Sequence, residues 1–110
     1  MAFVPQTKNV QVVEAAPDRL NVSGALTFET ARAAYEAGLR TIRNGGGASS
    51  PLQVDCAGVD ESDSAGLAVL IEWLAAATKV GRGIRFANLP EGIKAAAEIS
   101  DVAEILESGA

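Results

Sequence analysis

The residues best placed to do chemistry are Asp63 and Ser64, which stand at a junction between a strand and a helix. Alternating polarity predicts a strand at residues 52–57, a polar loop follows at residues 60–63, and a helix is predicted at residues 64–79. The first N–H groups of a helix have no partner inside the helix and carry partial positive charge. A carboxylate, a hydroxyl or a phosphate is therefore favoured at this junction.

Two interpretations of the junction stay open from the residues alone. In the first, Asp63 or Ser64 caps the helix and has no further role, which is a common arrangement. In the second, Ser64 is an exposed hydroxyl that is phosphorylated or that contacts a partner. Gly66, two residues further on, permits either the close approach of another chain or close packing on the sheet.

Enzyme chemistry is not expected. The chain has no histidine, which removes the commonest general base and the commonest metal ligand. The Gly-rich stretch 45–47 lacks the Gly-Lys-Ser/Thr of a phosphate-binding loop, and Cys56 without histidine excludes a structural zinc site. The acidic residues near the junction have an irregular spacing that matches no metal-binding loop: Asp55, Asp60, Glu61 and Asp63. We therefore expect no catalytic residue, no metal and no cofactor.

Length and charge limit the remaining function classes. With 110 residues the chain fits one domain, which we place at residues 10–107 after a flexible segment at residues 1–9. The net charge of −5 and the scattered basic residues argue against nucleic acid as a partner and against binding to an anionic membrane surface. No apolar run reaches the roughly 18 residues that span a bilayer, so no direct membrane insertion is expected. A lone cysteine is typical of a reducing compartment, so we expect a cytoplasmic protein. No small-molecule substrate is expected.

The elements around the junction alternate in type. Hydrophobic periodicity and turn residues predict the order ββαβαβα, an α/β fold with a mixed sheet and helices packed against it. The first helix is predicted to have Thr27 as its N-cap and to carry Phe28 on its apolar face. The fourth strand is predicted at residues 84–89.

The predicted helix at residues 64–79 is apolar on more than one side. One stripe is expected to face the sheet and contains Leu67, Leu70, Ile71, Leu74 and Thr78. A second group points broadly away from the first: Ala65, Val69, Trp73 and Ala76. In one interpretation both sides pack inside the domain. In the other, the second group is an exposed apolar patch continuous with Ser64, with Trp73 as its anchor.

The segment 55–70 resembles the signature of the STAS family, in which a strand ending in an aspartate leads to Asp-Ser/Thr-x-Gly-Leu at a helix start. Residues 20–27 are similar to the family's early strand and the approach to its first helix. Residues 83–90 and 102–106 are similar to its closing elements. The resemblance implies the STAS fold, with a mixed sheet of four or five strands and helices to one side.

Within the family, the chain is most similar to the small cytoplasmic subunit of an ABC transporter that moves phospholipids and maintains outer-membrane lipid asymmetry. That resemblance implies a non-enzymatic accessory subunit that binds and regulates or stabilises the ATPase subunit, and associates with the inner membrane through the complex. Anti-sigma-factor antagonists share the motif, and there the serine is phosphorylated by a kinase that is also the partner.

Both uses of the motif place the contact at the start of the same helix. Taken with the helix surface, they predict a partner-binding site made of Asp63, Ser64, Ala65, Gly66, Val69 and Trp73. Ser64 is the residue expected to be phosphorylated if the chain acts as a phospho-switch.

Overall fold

A computed structural model describes residues 9–44, 51–99 and 102. Within them the elements follow the predicted order ββαβαβα. Two features predicted from the sequence lie outside the described residues: the flexible segment at residues 1–9, except for Asn9, and the Gly-rich stretch 45–47.

The elements have the following bounds in the described part of the chain. The strands are β1 at Val10–Ala16, β2 at Arg19–Leu26, β3 at Leu52–Ser62 and β4 at Ile84–Ala87. The helices are α1 at Ala31–Asn44, α2 at Ser64–Lys79 and α3 at Glu91–Ile99.

The described strands form one mixed sheet in the order β1-β2-β3-β4. β1 and β2 are an antiparallel hairpin, whereas β2, β3 and β4 are parallel to one another. The predicted α/β fold class is therefore confirmed. Because α1, α2 and α3 each follow one of the parallel strands, all three begin at the same edge of the sheet. This helix-start edge comprises residues 27–31, 60–66 and 88–93.

The core lies between the sheet and the helices. Burial alternates along β2, where Leu20 and Val22 are buried while Arg19 and Asn21 are exposed, so the helices cover one face of the sheet. The largest fully buried side chains are Trp73, Leu20, Leu26, Ile42, Leu52, Leu70, Ile84 and Ile93. None of the helices in the described ranges is both long enough and apolar enough to cross a membrane.

The start of α1 differs from the prediction. The helix begins at Ala31. The Thr30 side chain stabilises the turn before it, and Thr27 does not cap the helix. The Thr30 hydroxyl accepts a hydrogen bond from the Thr27 N–H at 3.0 Å and donates one to the Ala25 carbonyl at 2.7 Å, a local side-chain bond that competes with helix. Phe28 lies in this turn and is 81% exposed, so its predicted place on the apolar face of α1 is wrong.

β3 continues through residues 60–62, which were predicted as part of a polar loop. Two register shifts between β2 and β3 each insert one extra residue on β3, as β-bulges do. Glu61 and Ser62 consequently pair with Ala25 and Leu26. The loop between β3 and α2 is reduced to a single residue, and this shortness fixes the direction in which α2 leaves the sheet.

β4 ends at Ala87, two residues before its predicted end. Asn88 has a φ of 56°, in the left-handed region, and this conformation takes the chain out of the strand. At the start of α3, Gly92 lies against the end of β3, since a Cβ added there would be 2.8 Å from the Ser62 hydroxyl oxygen. α3 therefore begins next to α2 at the helix-start edge.

α2 is buried on both sides, so the predicted apolar patch is not exposed. Val69 is 4% exposed and Trp73 is 0% exposed. The Trp73 indole packs against Gly38 of α1, where an added Cβ would overlap the ring, and its N–H donates a hydrogen bond to the Tyr35 carbonyl at 3.2 Å. The prediction that Val69 and Trp73 lie on an exposed surface is wrong, because α1 approaches closely enough to cover them. Packing of both helix sides inside the domain is the correct interpretation.

Candidate partner-binding site

Asp63 is the N-cap of α2 and also links two separate segments of the chain. Its backbone is extended, and one carboxylate oxygen accepts hydrogen bonds from the N–H groups of Ala65 at 2.9 Å and Gly66 at 3.3 Å. The other carboxylate oxygen accepts a hydrogen bond from the Phe28 N–H at 3.1 Å, although the two residues are 35 positions apart. Asp63 thus stabilises the start of α2 and holds the turn before α1 against it.

Ser64 is the first residue of α2 and is exposed. Its hydroxyl makes no hydrogen bond with any described residue, because Asp63 supplies the cap. A hydroxyl in this state is both a donor and an acceptor for a group that arrives from outside. Of the two open interpretations, capping therefore applies to Asp63, and Ser64 is left accessible to a partner or to a modifying enzyme.

Gly66 is buried beneath this surface, whereas Ala65 is partly exposed. A Cβ added to Gly66 would be 2.5 Å from the Leu26 carbonyl oxygen, which is backbone and cannot turn away. Close packing on the sheet is therefore the role that the structure shows for Gly66, and Ala65 is partly buried. Gly66 can therefore influence a partner only by positioning the start of α2, whereas Ala65 stays a predicted contact.

Phe28 is the surface residue that the sequence reasoning missed. Its side chain is 81% exposed, and its backbone is bonded to Asp63, so the ring lies on the same edge as Ser64. Periodicity assigned Phe28 to a helix because its spacing to the next apolar residues fits one. A signal was nevertheless present: Thr30 directly precedes the first helical residue, and threonine at such a position often bonds the preceding backbone.

The structure therefore separates the predicted site residues into two groups. Asp63 and Ser64 are together at the surface, followed by the partly exposed Ala65 and the buried Gly66. Val69 and Trp73 are buried further along α2, and Trp73 is roughly 14 Å along the helix axis from Ser64 at the usual rise per residue. They are not part of one continuous exposed contact.

The helix-start edge carries more acidic than basic residues. The acidic side chains in or beside it are Glu29, Asp60, Glu61, Asp63 and Glu91, and all are exposed. The basic ones are Arg32 and Lys94, in the first turns of α1 and α3. No Lys or Arg occurs from residue 20 to 31 or from residue 52 to 78. A basic surface on a partner is therefore complementary to this edge.

Two other ionisable groups on β3 lie away from this contact. Hydrogen bonds from the Asn88 amide and the Ala57 N–H hold the pKa of Asp55 below its ordinary value. Burial, with the neighbouring Asp55 carboxylate, raises the pKa of the Cys56 thiol to about 12, so the thiol is protonated and unreactive at neutral pH. Within the described residues, no three side chains of the His, Cys, Asp and Glu types are grouped as a metal ion would require.

Comparison with known proteins agrees with this architecture. None of the curated proteins compared with the chain matches it in sequence. A family model described as "Mlab, STAS domain" matches residues 11–107, which is most of the chain. STAS domains are generally non-catalytic binding or regulatory domains that mediate protein–protein interactions. On this match, and with a four-stranded mixed sheet and helices that fit the STAS fold, the chain belongs to the STAS domain family and resembles MlaB.

Proposed function

We propose that this chain is a non-enzymatic accessory subunit that binds, and regulates or stabilises, the ATPase subunit of an ABC phospholipid transporter maintaining outer-membrane lipid asymmetry. The observation that carries the proposal is the exposed start of α2, where Asp63 caps the helix and the Ser64 hydroxyl makes no hydrogen bond with any described residue. The family match over residues 11–107 supports a protein partner, since STAS domains mediate protein–protein interactions.

The geometry supports a contact that uses the helix-start edge and no chemistry of its own. An exposed hydroxyl can exchange hydrogen bonds with a partner's backbone or side chains without any change in the fold. The adjacent Asp63 carboxylate, already bound by three N–H groups, is fixed in position and adds directional charge. A rigid surface of this kind loses little conformational entropy when a partner binds.

In this role the chain works in the cytoplasm and reaches the inner membrane only as part of the transporter complex. Its net charge of −5 is unfavourable for direct binding to an anionic bilayer surface. Neither a cofactor nor a small-molecule substrate is needed for the role, and the isolated chain is expected to show no turnover with ATP.

Binding to the ATPase subunit is tested by co-expressing the chain with a candidate ABC ATPase subunit from the same organism and separating the products by size-exclusion chromatography. We expect one stable complex at micromolar concentration. Ser64→Glu should weaken it about tenfold or more while the chain stays folded, because a carboxylate suits a helix N-terminus but conflicts with a closely fitted partner. Ala75→Glu adds the same charge at an exposed position near the end of α2 and is the matched control.

Two results would contradict the proposal. One is separate elution of the two wild-type proteins at micromolar concentration. The other is equal weakening by Ser64→Glu and Ala75→Glu, which would show that added negative charge acts without regard to position, so that the start of α2 is not the contact.

A second function, an anti-sigma-factor antagonist that acts as a serine phospho-switch, is favoured by the same exposed hydroxyl. A phosphate on Ser64 would meet N–H groups of Ala65 and Gly66 that already bind Asp63. The phosphate would add about two negative charges beside the Asp63 carboxylate and so change the surface that a partner meets. The two functions are distinguished by incubating the chain with ATP and a candidate serine kinase from the same organism. Incorporation of phosphate at Ser64 together with a stable kinase complex would support the switch and not the transporter.

A further inference from the structure

Phe28 is exposed although the turn that carries it is well ordered. The Thr30 hydroxyl bonds both the Thr27 N–H and the Ala25 carbonyl, and the Thr27 carbonyl accepts a hydrogen bond from the Thr30 N–H at 3.1 Å. Leaving a phenylalanine in water forgoes the free energy that burial of its ring would contribute. The 81% exposure of the ring is thus set by a fixed backbone and not by fraying of a loop.

The position of Phe28 depends on Asp63. One oxygen of that carboxylate caps α2 through the N–H groups of Ala65 and Gly66, and the other binds the Phe28 N–H. The same side chain therefore fixes the start of the helix that carries Ser64 and the turn that carries the exposed ring. The exposed Phe28 and the exposed Ser64 are therefore held at the same helix-start edge.

We infer, building on the proposed function, that Phe28 is the hydrophobic anchor of the ATPase contact and that Asp63 is the positioning residue that holds Phe28 beside Ser64. Aromatic side chains that enter a partner's pocket supply much of the binding energy of an interface, and a ring prepositioned by hydrogen bonds loses little entropy when it docks.

The charges around Phe28 indicate the chemistry of the surface that receives it. The ring lies in the helix-start edge, where five acidic side chains outnumber Arg32 and Lys94. The ATPase surface should therefore offer an apolar pocket with Lys or Arg at its rim. Opposite charges of this kind are screened by salt, so the affinity should fall as ionic strength rises.

The first test measures the affinity of the full chain for the purified ATPase subunit by isothermal titration calorimetry. Phe28→Ala should weaken binding about thirtyfold or more, as truncation of an interface hot spot does. Val13→Ala is the matched control, because Val13 is 52% exposed but belongs to β1, away from the helix-start edge, and should change the affinity less than about twofold.

The second test isolates the positioning role of Asp63. Asp63→Asn keeps one carbonyl oxygen for the cap of α2 but turns an NH₂ group toward the Phe28 N–H, which removes that hydrogen bond. We expect the variant to stay folded and to bind about tenfold more weakly. In the Phe28→Ala background, Asp63→Asn should lower the affinity by less than about twofold, because the anchor that Asp63 positions is absent.

The outcomes separate the two proposals. If the wild-type chain does not bind the ATPase, both are overturned. If it binds and Ser64→Glu weakens the complex, but Phe28→Ala stays within about twofold of wild type, the proposed function stands and the anchor is refuted. Additive effects of Asp63→Asn and Phe28→Ala would refute the positioning role alone.

Discussion

Phe28 and Trp73 are large aromatic side chains in neighbouring parts of one small domain, and their environments are opposite. Phe28 is 81% exposed in a turn at the helix-start edge, whereas Trp73 is 0% exposed between α1 and α2. The Phe28 N–H donates a hydrogen bond to the Asp63 carboxylate, and this bond holds Phe28 at the surface. Trp73 is held inward by Gly38, whose missing side chain leaves room for the indole, and by a hydrogen bond to Tyr35.

The difference shows that the middle of α2 and its start have different roles. Its middle joins α1 and stabilises the fold, since the burial of an aromatic ring is among the larger favourable contributions to a core. Its first residue lies at a surface where polar and apolar groups are fixed in place but remain exposed. Mutations can therefore affect the stability of the domain and its recognition of a partner separately.

The largest effect is expected for Trp73→Ala. Removal of a fully buried indole should lower the free energy of unfolding by about 3–5 kcal/mol, measured by urea denaturation. Phe28→Ala is the matched control and should change it by less than about 0.5 kcal/mol, because its ring is in water already. For ATPase binding by the folded fraction the order should be reversed: Phe28→Ala should cause the larger loss of affinity and Trp73→Ala the smaller. A small loss of stability in Trp73→Ala would contradict the assignment of Trp73 to the core.

Gly38→Ala should have an intermediate effect. The new Cβ would overlap the Trp73 ring, so the helices must move apart, at a cost of about 1–3 kcal/mol in the free energy of unfolding. Gly83→Ala is the control, since its Cβ would be 3.4 Å from the nearest atom of Pro51, an ordinary contact. The Gly38→Ala cost should shrink when Trp73 is replaced by leucine. Equal costs in both backgrounds would show that the indole is not what excludes a side chain at position 38.

The smallest effect concerns Asp55, on the face of the sheet that the helices leave uncovered, and Asn88, which follows β4 and donates a hydrogen bond to Asp55. The Asn88 amide is the main cause of the lowered pKa of Asp55, so its bond stabilises the fold when Asp55 is charged. Asn88→Gly removes the amide without backbone strain, because glycine accepts the φ of 56°. It should lower the free energy of unfolding by less than about 1 kcal/mol, as exposed charges are screened.

The pH dependence of that small loss follows from the direction of the shift. The pKa of Asp55 is lower in the folded state than its ordinary value of 3.8, so the stabilising effect is complete above that value and is lost as pH falls through the folded-state pKa. The difference between wild type and Asn88→Gly should therefore be constant near neutral pH and diminish in acid. A difference that grows as pH falls would contradict the hydrogen bond to a charged Asp55.

Local patterns in the sequence were sufficient for much of this description. They predicted the order of the elements, the bounds of α2 at Ser64–Lys79 and the junction that carries Asp63 and Ser64. These features depend on neighbours within a few residues: an acceptor side chain at a helix start, apolar residues at helical spacing, and glycine or proline between elements. The motif that identified the family is also contiguous, which is why it was visible without a structure.

The tertiary structure alone decided which aromatic ring is exposed. Spacing within α2 shows that Trp73 points away from one apolar stripe, but its burial depends on Gly38 and Tyr35 of another helix. Phe28 has the spacing of a helical residue, yet a carboxylate 35 positions away holds it in a turn at the surface. Both outcomes rest on contacts between residues far apart in the chain, and periodicity within one element carries no information about what lies across from it.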